Sequence, residues 1–284
     1  MLYLRANLHQ QILMDFSGKY FELCILIPCY NNTAGLKKSL ESLRYDPGKY
    51  LVVIVDDGSN EIITTENILS NNKDLLFHII RLGKNQGITV ALNTGLEWIK
   101  TNLTCNFIAR LDCGDLCDPE RFYKQVSCLS ENSDLMLIGS WCYFKNQQKN
   151  ITFNYTTPTE HKSIEKALYC RNVFIHPTIM IRRAVLDRIG LYPNEYPHAE
   201  DYAWFWKIAQ QMKTAILPLY LVECEFNISG ISYENRAQQL KSRMAIVKKF
   251  GHKFVIKQLA IIKIWILMKI PYSIILKIKR LKSL

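Results

Sequence analysis

The sequence predicts an α/β fold, a mainly parallel sheet flanked by helices and followed by a basic helical tail. Three observations carry that reading. First, apolar runs of strand length, FELCILIP (21–28), YLVVIV (50–55) and LFHIIRL (76–82), are continuous rather than alternating, as in strands buried on both faces. Second, a polar turn follows each run, and strand alternates with helix through about the first 115 residues. Third, charge is segregated. The 284 residues hold 36 Lys and Arg against 25 Asp and Glu, net +11, yet residues 241–284 carry twelve basic side chains and no acidic one. The rest of the chain is near neutral, which excludes a uniformly basic nucleic-acid binder. A composition 49% hydrophobic and 21% charged excludes disorder and a low-complexity build.

In chain order, the first strand (21–28) ends at Cys29-Tyr30-Asn31-Asn32 and gives way to a helix over 34–43. The second (50–55) stops at Asp56-Asp57-Gly58-Ser59, and the third (76–82) at Gly83-Lys84-Asn85-Gln86-Gly87. A helix over 88–100 spaces Val90, Leu92, Leu96 and Ile99 helically, and a fourth strand (107–111) ends at Asp112. Asp118-Pro119 suits a helix start, giving a helix over 120–129 before a strand over 135–144. Residues 145–158 are polar and read as irregular. Helices over 163–170, 183–189 and 200–212, with a strand over 176–181, complete the second half. Residues 1–20 read as an N-terminal extension without an apolar stretch of signal-peptide length. Nine cysteines with no CxxC pair read as reduced thiols rather than a disulfide framework.

In an open parallel sheet, ligands gather outside the carboxyl ends of the strands. The loops there carry Pro28-Cys29-Tyr30-Asn31, Asp56-Asp57-Gly58-Ser59 and Asp112-Cys113-Gly114-Asp115. Such acidic loops suit a diphosphate bridged by a divalent cation better than a bare phosphate. Each alone is also an ordinary turn. Taken in order, ILIPCYNN, VVIVDDGS, NQGITVALNTGL, IARLDCGDLCDPERF, HPTIMIRRAVLDRIGLY and HAEDYAWFWKIA resemble the motifs of family 2 glycosyltransferases of bacterial polysaccharide and lipooligosaccharide synthesis. The family has the GT-A fold and moves a sugar from a nucleotide diphosphate with inversion. The resemblance spans roughly residues 21–232, about three quarters of the chain.

The resemblance implies a nucleotide-sugar-binding half at 21–118, an acceptor-binding half at 119–240 and a membrane-associating tail at 241–284. It implies that Pro28 and Tyr30, with Asn31, flank the nucleobase and that Asp57 accepts the uracil ring N–H, while Asp56 orients the loop. Asn85, Gly87, Ala91 and Asn93 would lie beneath the nucleotide, and Arg110, Asp112 and Cys113 complete the donor-binding set with Asp112 near the ribose. Asp115, Asp112 and His176 are the implied ligands of Mn²⁺ or Mg²⁺. Gly114 departs from the family pattern, which has a third carboxylate there, so weaker metal use is implied. Glu200-Asp201 would open a helix at the acceptor side, Asp201 as the base that takes the acceptor hydroxyl's proton and Glu200 as the alternative. Both acids would also favour a helix N-terminus without any chemical role. Trp204 and Trp206 either stack on a sugar or pack in the core. NISGISY (227–233), followed by Arg236, Gln238 and Gln239, resembles a segment that closes over the diphosphate.

In the tail, Lys257, Lys263 and Lys269 interrupt FVIKQLAIIKIWILMKI (254–270), and the longest uncharged run, 270–276, falls far short of the ~20 residues of a membrane span. The lysines point in three directions on a helix, so no single amphipathic stripe is expected. Snorkelling lysines and an interfacial tryptophan predict docking on anionic lipid, with Pro271 as a break; a core-packed helical subdomain is the alternative. The resemblance thus implies an inverting transfer of a hexose or N-acetylhexosamine from a UDP-sugar to a hydroxyl of a lipid-linked, lipooligosaccharide or capsule glycan. The expected location is cytoplasmic and peripheral on the inner face of the cell membrane, without nucleic acid as a partner. The rival is a non-catalytic membrane-associated partner of another transferase, for which Gly114 argues. No GxGxxG follows the first strand, which disfavours a dinucleotide-dependent oxidoreductase.

Overall fold

Alternate residues of β1 (Tyr20–Cys29) serve two different cores: Leu23, Ile25 and Ile27 face one, Cys24 and Leu26 the other. Side chains alternate across a strand, so burial of both faces demands the continuous apolar run seen in the sequence. The computed structural model describes residues 16, 18–68, 75–146, 151–225 and 235–270. β2 (Tyr50–Asp56) pairs parallel to β1, from Leu23↔Tyr50 to Cys29↔Asp56, and divides its side chains the same way. β3 (Phe77–Arg81) pairs parallel outside β2, and β4 (Thr104–Arg110) parallel on the far side of β1. α1 (Thr33–Ser42), α2 (Thr65–Ile68) and α3 (Ile88–Asn102) connect them. The Asn32 side chain caps α1 by accepting from the Gly35 N–H at 3.0 Å. Strand order reverses at β1, so the crevice opens at the carboxyl ends of β1, β2 and β4, as expected.

The second half adds β5 (Leu116–Cys117), α4 (Arg121–Glu131), β6 (Leu135–Asn146), β7 (Ile151–Tyr155) and α5 (His161–Leu168). A 3-10 turn at His176–Thr178, β8 (Met180–Arg182), α6 (Ala184–Arg188), α7 (Glu200–Gln211) and β9 (Lys213–Glu225) follow. The nine-stranded sheet runs β3-β2-β1-β4-β8-β6-β9-β5, with β7 on β6. β8 is antiparallel to both β4 and β6, so the sheet is mixed rather than parallel throughout.

α2 and β5 were not expected from the sequence, and three further elements differ from expectation. Residues 145–158 contain β7, which pairs antiparallel with the end of β6. The expected strand over 176–181 begins instead as the 3-10 turn, with Pro177 early in it, and leaves only three residues for β8. β9 had no forerunner in the sequence reading. Pro218 interrupts its apolar pattern, and it sits where the β6–β9 register shifts between Ser140↔Leu217 and Trp141↔Tyr220. A bulge accommodates a residue that lacks an N–H.

The basic tail begins inside a helix. α8 (Arg236–Phe250) crosses the expected boundary at residue 241, and α9 (Phe254–Lys269) follows. Leu240, Ile246 and Val247 of α8, with Ala260 and Ile264 of α9, are buried in the same core as α7. The Tyr169 hydroxyl holds the α8–α9 joint, accepting from the N–H groups of His252 and Lys253 at 3.1 and 3.0 Å. As expected, α9 carries no single apolar stripe, because apolar side chains lie on two opposite faces. Phe254, Val255, Leu259, Ile262, Trp265 and Ile266 are exposed and, at 3.6 residues per turn, fall within an arc of roughly 140° opposite Ala260 and Ile264. Lys257 and Lys263 flank that arc, and exposed Lys269 falls within it, its Nζ over the Trp265 ring. Among the described residues, no helix is long and apolar enough to cross a membrane. Most of the expected N-terminal extension, the closing segment 227–233 and the tail from Pro271 onward lie outside the described residues.

Candidate active site

Backbone and side-chain hydrogen bonds lock the crevice loops together. The Asp57 N–H donates to the Cys29 carbonyl at 2.8 Å, the Asn31 N–H to Ser59 Oγ at 2.9 Å, and the Asn60 N–H to Asn31 Oδ1 at 2.8 Å. Asn31 itself has φ 49, the left-handed conformation that asparagine tolerates. Asp56 orients its loop as expected: it is buried, pairs with Arg81 Nη1 at 2.6 Å and accepts from the Ser59 N–H at 2.9 Å. Asp57 turns the other way and accepts from the N–H groups of Gln86 and Gly87 at 2.8 and 2.9 Å. It thereby ties the second loop to the start of α3, and a carboxylate keeps lone pairs for a further donor. Asn85 is exposed beside this contact. Tyr30 is exposed at the crevice edge, whereas Pro28 is buried in β1 opposite Val55.

The loop after β4 hangs on Ser39 of α1, a fully buried residue that the sequence reading missed. Its hydroxyl donates to the Asp115 carbonyl at 2.8 Å and accepts from the Gly114 N–H at 2.9 Å. Buried Arg121 supports the strand end beneath, donating from Nη2 to the Arg110 carbonyl at 2.7 Å and from Nε to Gln125 Oε1 at 3.1 Å. Its spacing to Gln125, one helical turn, was the available signal. Cys113 points at the first loop, with Sγ 3.1 Å from the Asn32 carbonyl and 3.4 Å from Cys29 Sγ. All nine cysteines are free thiols.

Arg110 is the electrostatic centre. It is 4% exposed, its Nη1 meets Asp112 Oδ1, and its Nε has no hydrogen-bond partner. An unpartnered N–H inside a buried cation is costly, and its place beside the crevice suits an anionic ligand. Asp112 is 40% exposed. Asp115 is buried and turned inward, with Oδ1 accepting from the Glu225 N–H at 2.8 Å. Burial, then the charge of Asp112, pushes its carboxyl up, and its bond to the Glu225 N–H anchors the end of β9.

Across the crevice, Glu200 and Asp201 open α7 as expected. Asp201 Oδ2 accepts from Asn172 Nδ2 at 2.8 Å and Oδ1 from the Tyr202 N–H at 2.7 Å. Burial first, then the charge of Glu200, raises its pKa to about 7 against the opposing pull of its two donors and of Arg110. The His176 ring is held between two aromatic side chains. Its Nε2 lies 2.8 Å from the Tyr192 hydroxyl and its ring packs edge-on against Phe205. Lost hydration, then Arg110, holds the imidazole well below its ordinary pKa. Asn93 is likewise consumed structurally: its Nδ2 donates to the Tyr192 carbonyl and its Oδ1 accepts from the Tyr192 N–H, both at 2.9 Å. Trp204 and Trp206 are buried in the core. Among the described residues, no group of three or more His, Cys, Asp or Glu side chains is gathered to hold a metal ion.

Residues 24–190, more than half of the chain, match the family profile described as Glycosyl transferase family 2. The amylovoran biosynthesis glycosyltransferase AmsE of Erwinia amylovora is 27% identical over 250 residues, 84% of this chain and 88% of that one. An uncharacterised glycosyltransferase of Methanocaldococcus jannaschii is 26% identical over 194 residues, 66% of this chain, and the match spans 64% of that protein's length. The Escherichia coli UDP-Gal:alpha-D-GlcNAc-diphosphoundecaprenol beta-1,3-galactosyltransferase is 29% identical over 185 residues, 62% of each chain. Among solved structures, residues 1–349 of S. aureus TarS in complex with UDP-GlcNAc superpose with a TM-score of 0.63 over 86% of this chain and 72% of that one, at 16% identity. The mannosyltransferase PcManGT from Pyrobaculum calidifontis, in complex with GDP-Man and Mn²⁺, gives 0.58 over 82% and 65%, at 18% identity. The structural likenesses show a shared fold, and the profile match carries the membership: the chain is a GT-A-fold protein of glycosyltransferase family 2.

Proposed function

We propose that the chain is an inverting glycosyltransferase that moves a hexose or N-acetylhexosamine from a UDP-sugar to a hydroxyl of a lipid-linked, lipooligosaccharide or capsule glycan. One observation carries the reading. Arg110 is paired with Asp112 on the donor side while its charge acts on Asp201 on the acceptor side, so both halves of the crevice share one electrostatic centre. Displacement at the anomeric carbon requires that the acceptor hydroxyl lose its proton as the new C–O bond forms and the bond to the diphosphate breaks. A carboxylate titrating at about 7 is matched to that task near neutral pH. The fixed charge of Arg110 complements the negative charge that grows on the departing diphosphate. UDP-GlcNAc in the TarS complex and the lipid diphosphate named for the Escherichia coli relative support the donor and acceptor classes.

Mn²⁺ or Mg²⁺ fits the donor set, because a hard cation accepts few carboxylates when diphosphate oxygens and water fill its shell. Asp112, exposed at the crevice, would hold it, and the bound ion would neutralise diphosphate charge. The exposed apolar arc of α9 between Lys257 and Lys263 suits an anionic membrane surface, which would place the protein peripherally beside a lipid-linked acceptor.

Calorimetric titration with UDP, with and without Mn²⁺, followed by hydrolysis of a panel of UDP-sugars, tests the proposal. Metal-strengthened UDP binding and slow hydrolysis of one sugar are expected. Absence of UDP binding under both conditions would overturn it.

A further inference from the structure

Gly114 stands where the acidic loop lacks a carboxylate, and the structure shows what occupies the space. Its φ of +106 is a backbone conformation that side-chain-bearing residues rarely adopt. A Cβ built there would lie 3.3 Å from Glu225 Oε2 and 3.6 Å from Asn32 Nδ2, so a carboxylate from another element already reaches the position. Glu225 is the last residue of β9 and is exposed. Its backbone is fixed by the Asp115 carboxylate at 2.8 Å, and Ser39 fixes Asp115 and Gly114 in turn. The inward turn of Asp115 therefore has a consequence for the site: it sets Glu225 against the loop. Buried Arg110, with its unpartnered Nε, lies beside the same loop through Asp112 and marks it as a place for an anion.

We infer that Glu225 supplies, from the end of β9, the carboxylate missing at Gly114, and that with Asp112 it holds the divalent cation accompanying the nucleoside diphosphate. This rests on the donor reading of the crevice given above. Two carboxylates would suffice for an ion that takes its remaining ligands from diphosphate and water. The sheet makes the exchange of elements feasible, since β5 immediately after the loop pairs with β9 at Leu116↔Glu223 and Cys117↔Val222. Loop and strand end are thus held in one register.

The test titrates Mn²⁺ into UDP-loaded protein, reading free ion by electron paramagnetic resonance, and separately measures metal-free UDP affinity by calorimetry. Glu225→Ala and the near-isosteric Glu225→Gln should each weaken Mn²⁺ binding by about tenfold or more, leave metal-free UDP affinity unchanged and keep the melting temperature. Glu225→Asp should regain part of the loss. Glu223→Ala, two residues earlier and paired with Lys145 at 3.1 Å, should leave Mn²⁺ binding as it was. Wild-type Mn²⁺ affinity in Glu225→Gln, or an equal loss in Glu223→Ala, would overturn the inference while the UDP reading stands. A wild-type protein that binds no UDP would overturn both.

Discussion

Asp201 holds its proton to about pH 7 because burial and Glu200 disfavour its charge, and that strain has two readable consequences. Its pKa in the folded chain lies above the roughly 3.9 of a free aspartate. The protonated form therefore favours folding fully below about pH 3.9, and that contribution is lost as pH rises through about 7. Asp201→Asn should melt higher than wild type at pH 8, with the difference closing toward pH 4, and should abolish transfer while UDP affinity is kept. A variant with wild-type transfer would remove Asp201 from the base role. In the wild type, kcat/KM should fall about tenfold per pH unit below 7. Asn172→Ala removes a donor that favours the ionised form, so the acid limb should move to higher pH; an unmoved limb would show that the 2.8 Å bond does not tune the base. The acidic pair was legible in the sequence because its place at the start of a helix is local. Asn172 was not, because its bond to Asp201 joins residues 29 apart and exists only once the fold brings them together. The same holds for Ser39 and Glu225, and the bonds that Asn93, Asp115 and His176 make within the fold, to Tyr192 and Glu225, are likewise distant in sequence.

At the scale of elements, the crevice depends on turns that seat one loop against another. Gly58 has φ +73, and a Cβ there would lie 2.3 Å from the Lys84 carbonyl carbon, so the second loop can approach the third only without a side chain. Gly58→Ala should destabilise the chain by about 2 kcal/mol or more in chemical denaturation and weaken UDP binding. An unchanged midpoint would show that the loops can separate freely. Asn93 joins α3 to the second half through both hydrogen bonds to Tyr192. Asn93→Ala should therefore cost about 1–3 kcal/mol of stability with no change in UDP affinity. A selective loss of UDP binding would restore the nucleotide contact expected from the sequence. The strands β1 and β2 were readable because two-sided burial writes itself as a continuous apolar run. β9 was hidden by Pro218, whose tolerance depends on a bulge against β6 that only the paired sheet reveals.

For the whole molecule, the segregation of charge in the sequence foretold a distinct end but not how far that end is built into the body. Gln239 donates to the His198 carbonyl at 3.1 Å and Ser242 to the Pro197 carbonyl at 2.9 Å, so α8 supports the loop that delivers Glu200 and Asp201. Ala260 and Ile264 of α9 fill the core beside α7. Deleting the tail would thus damage the catalytic half together with any membrane contact, and loss of vesicle binding in a truncation would prove little. The exposed arc separates the two effects, because Leu259 is 62% and Trp265 55% exposed and neither supports the core. Leu259→Asp combined with Trp265→Asp should release the protein from anionic vesicles, leave its melting temperature within a degree or two and preserve UDP binding. Binding to wholly neutral vesicles should already be weak in the wild type, since the flanking lysines need anionic lipid to act upon. If the double variant stays on anionic vesicles, the membrane contact lies elsewhere on the chain and the bare face of α9 must be covered by protein instead.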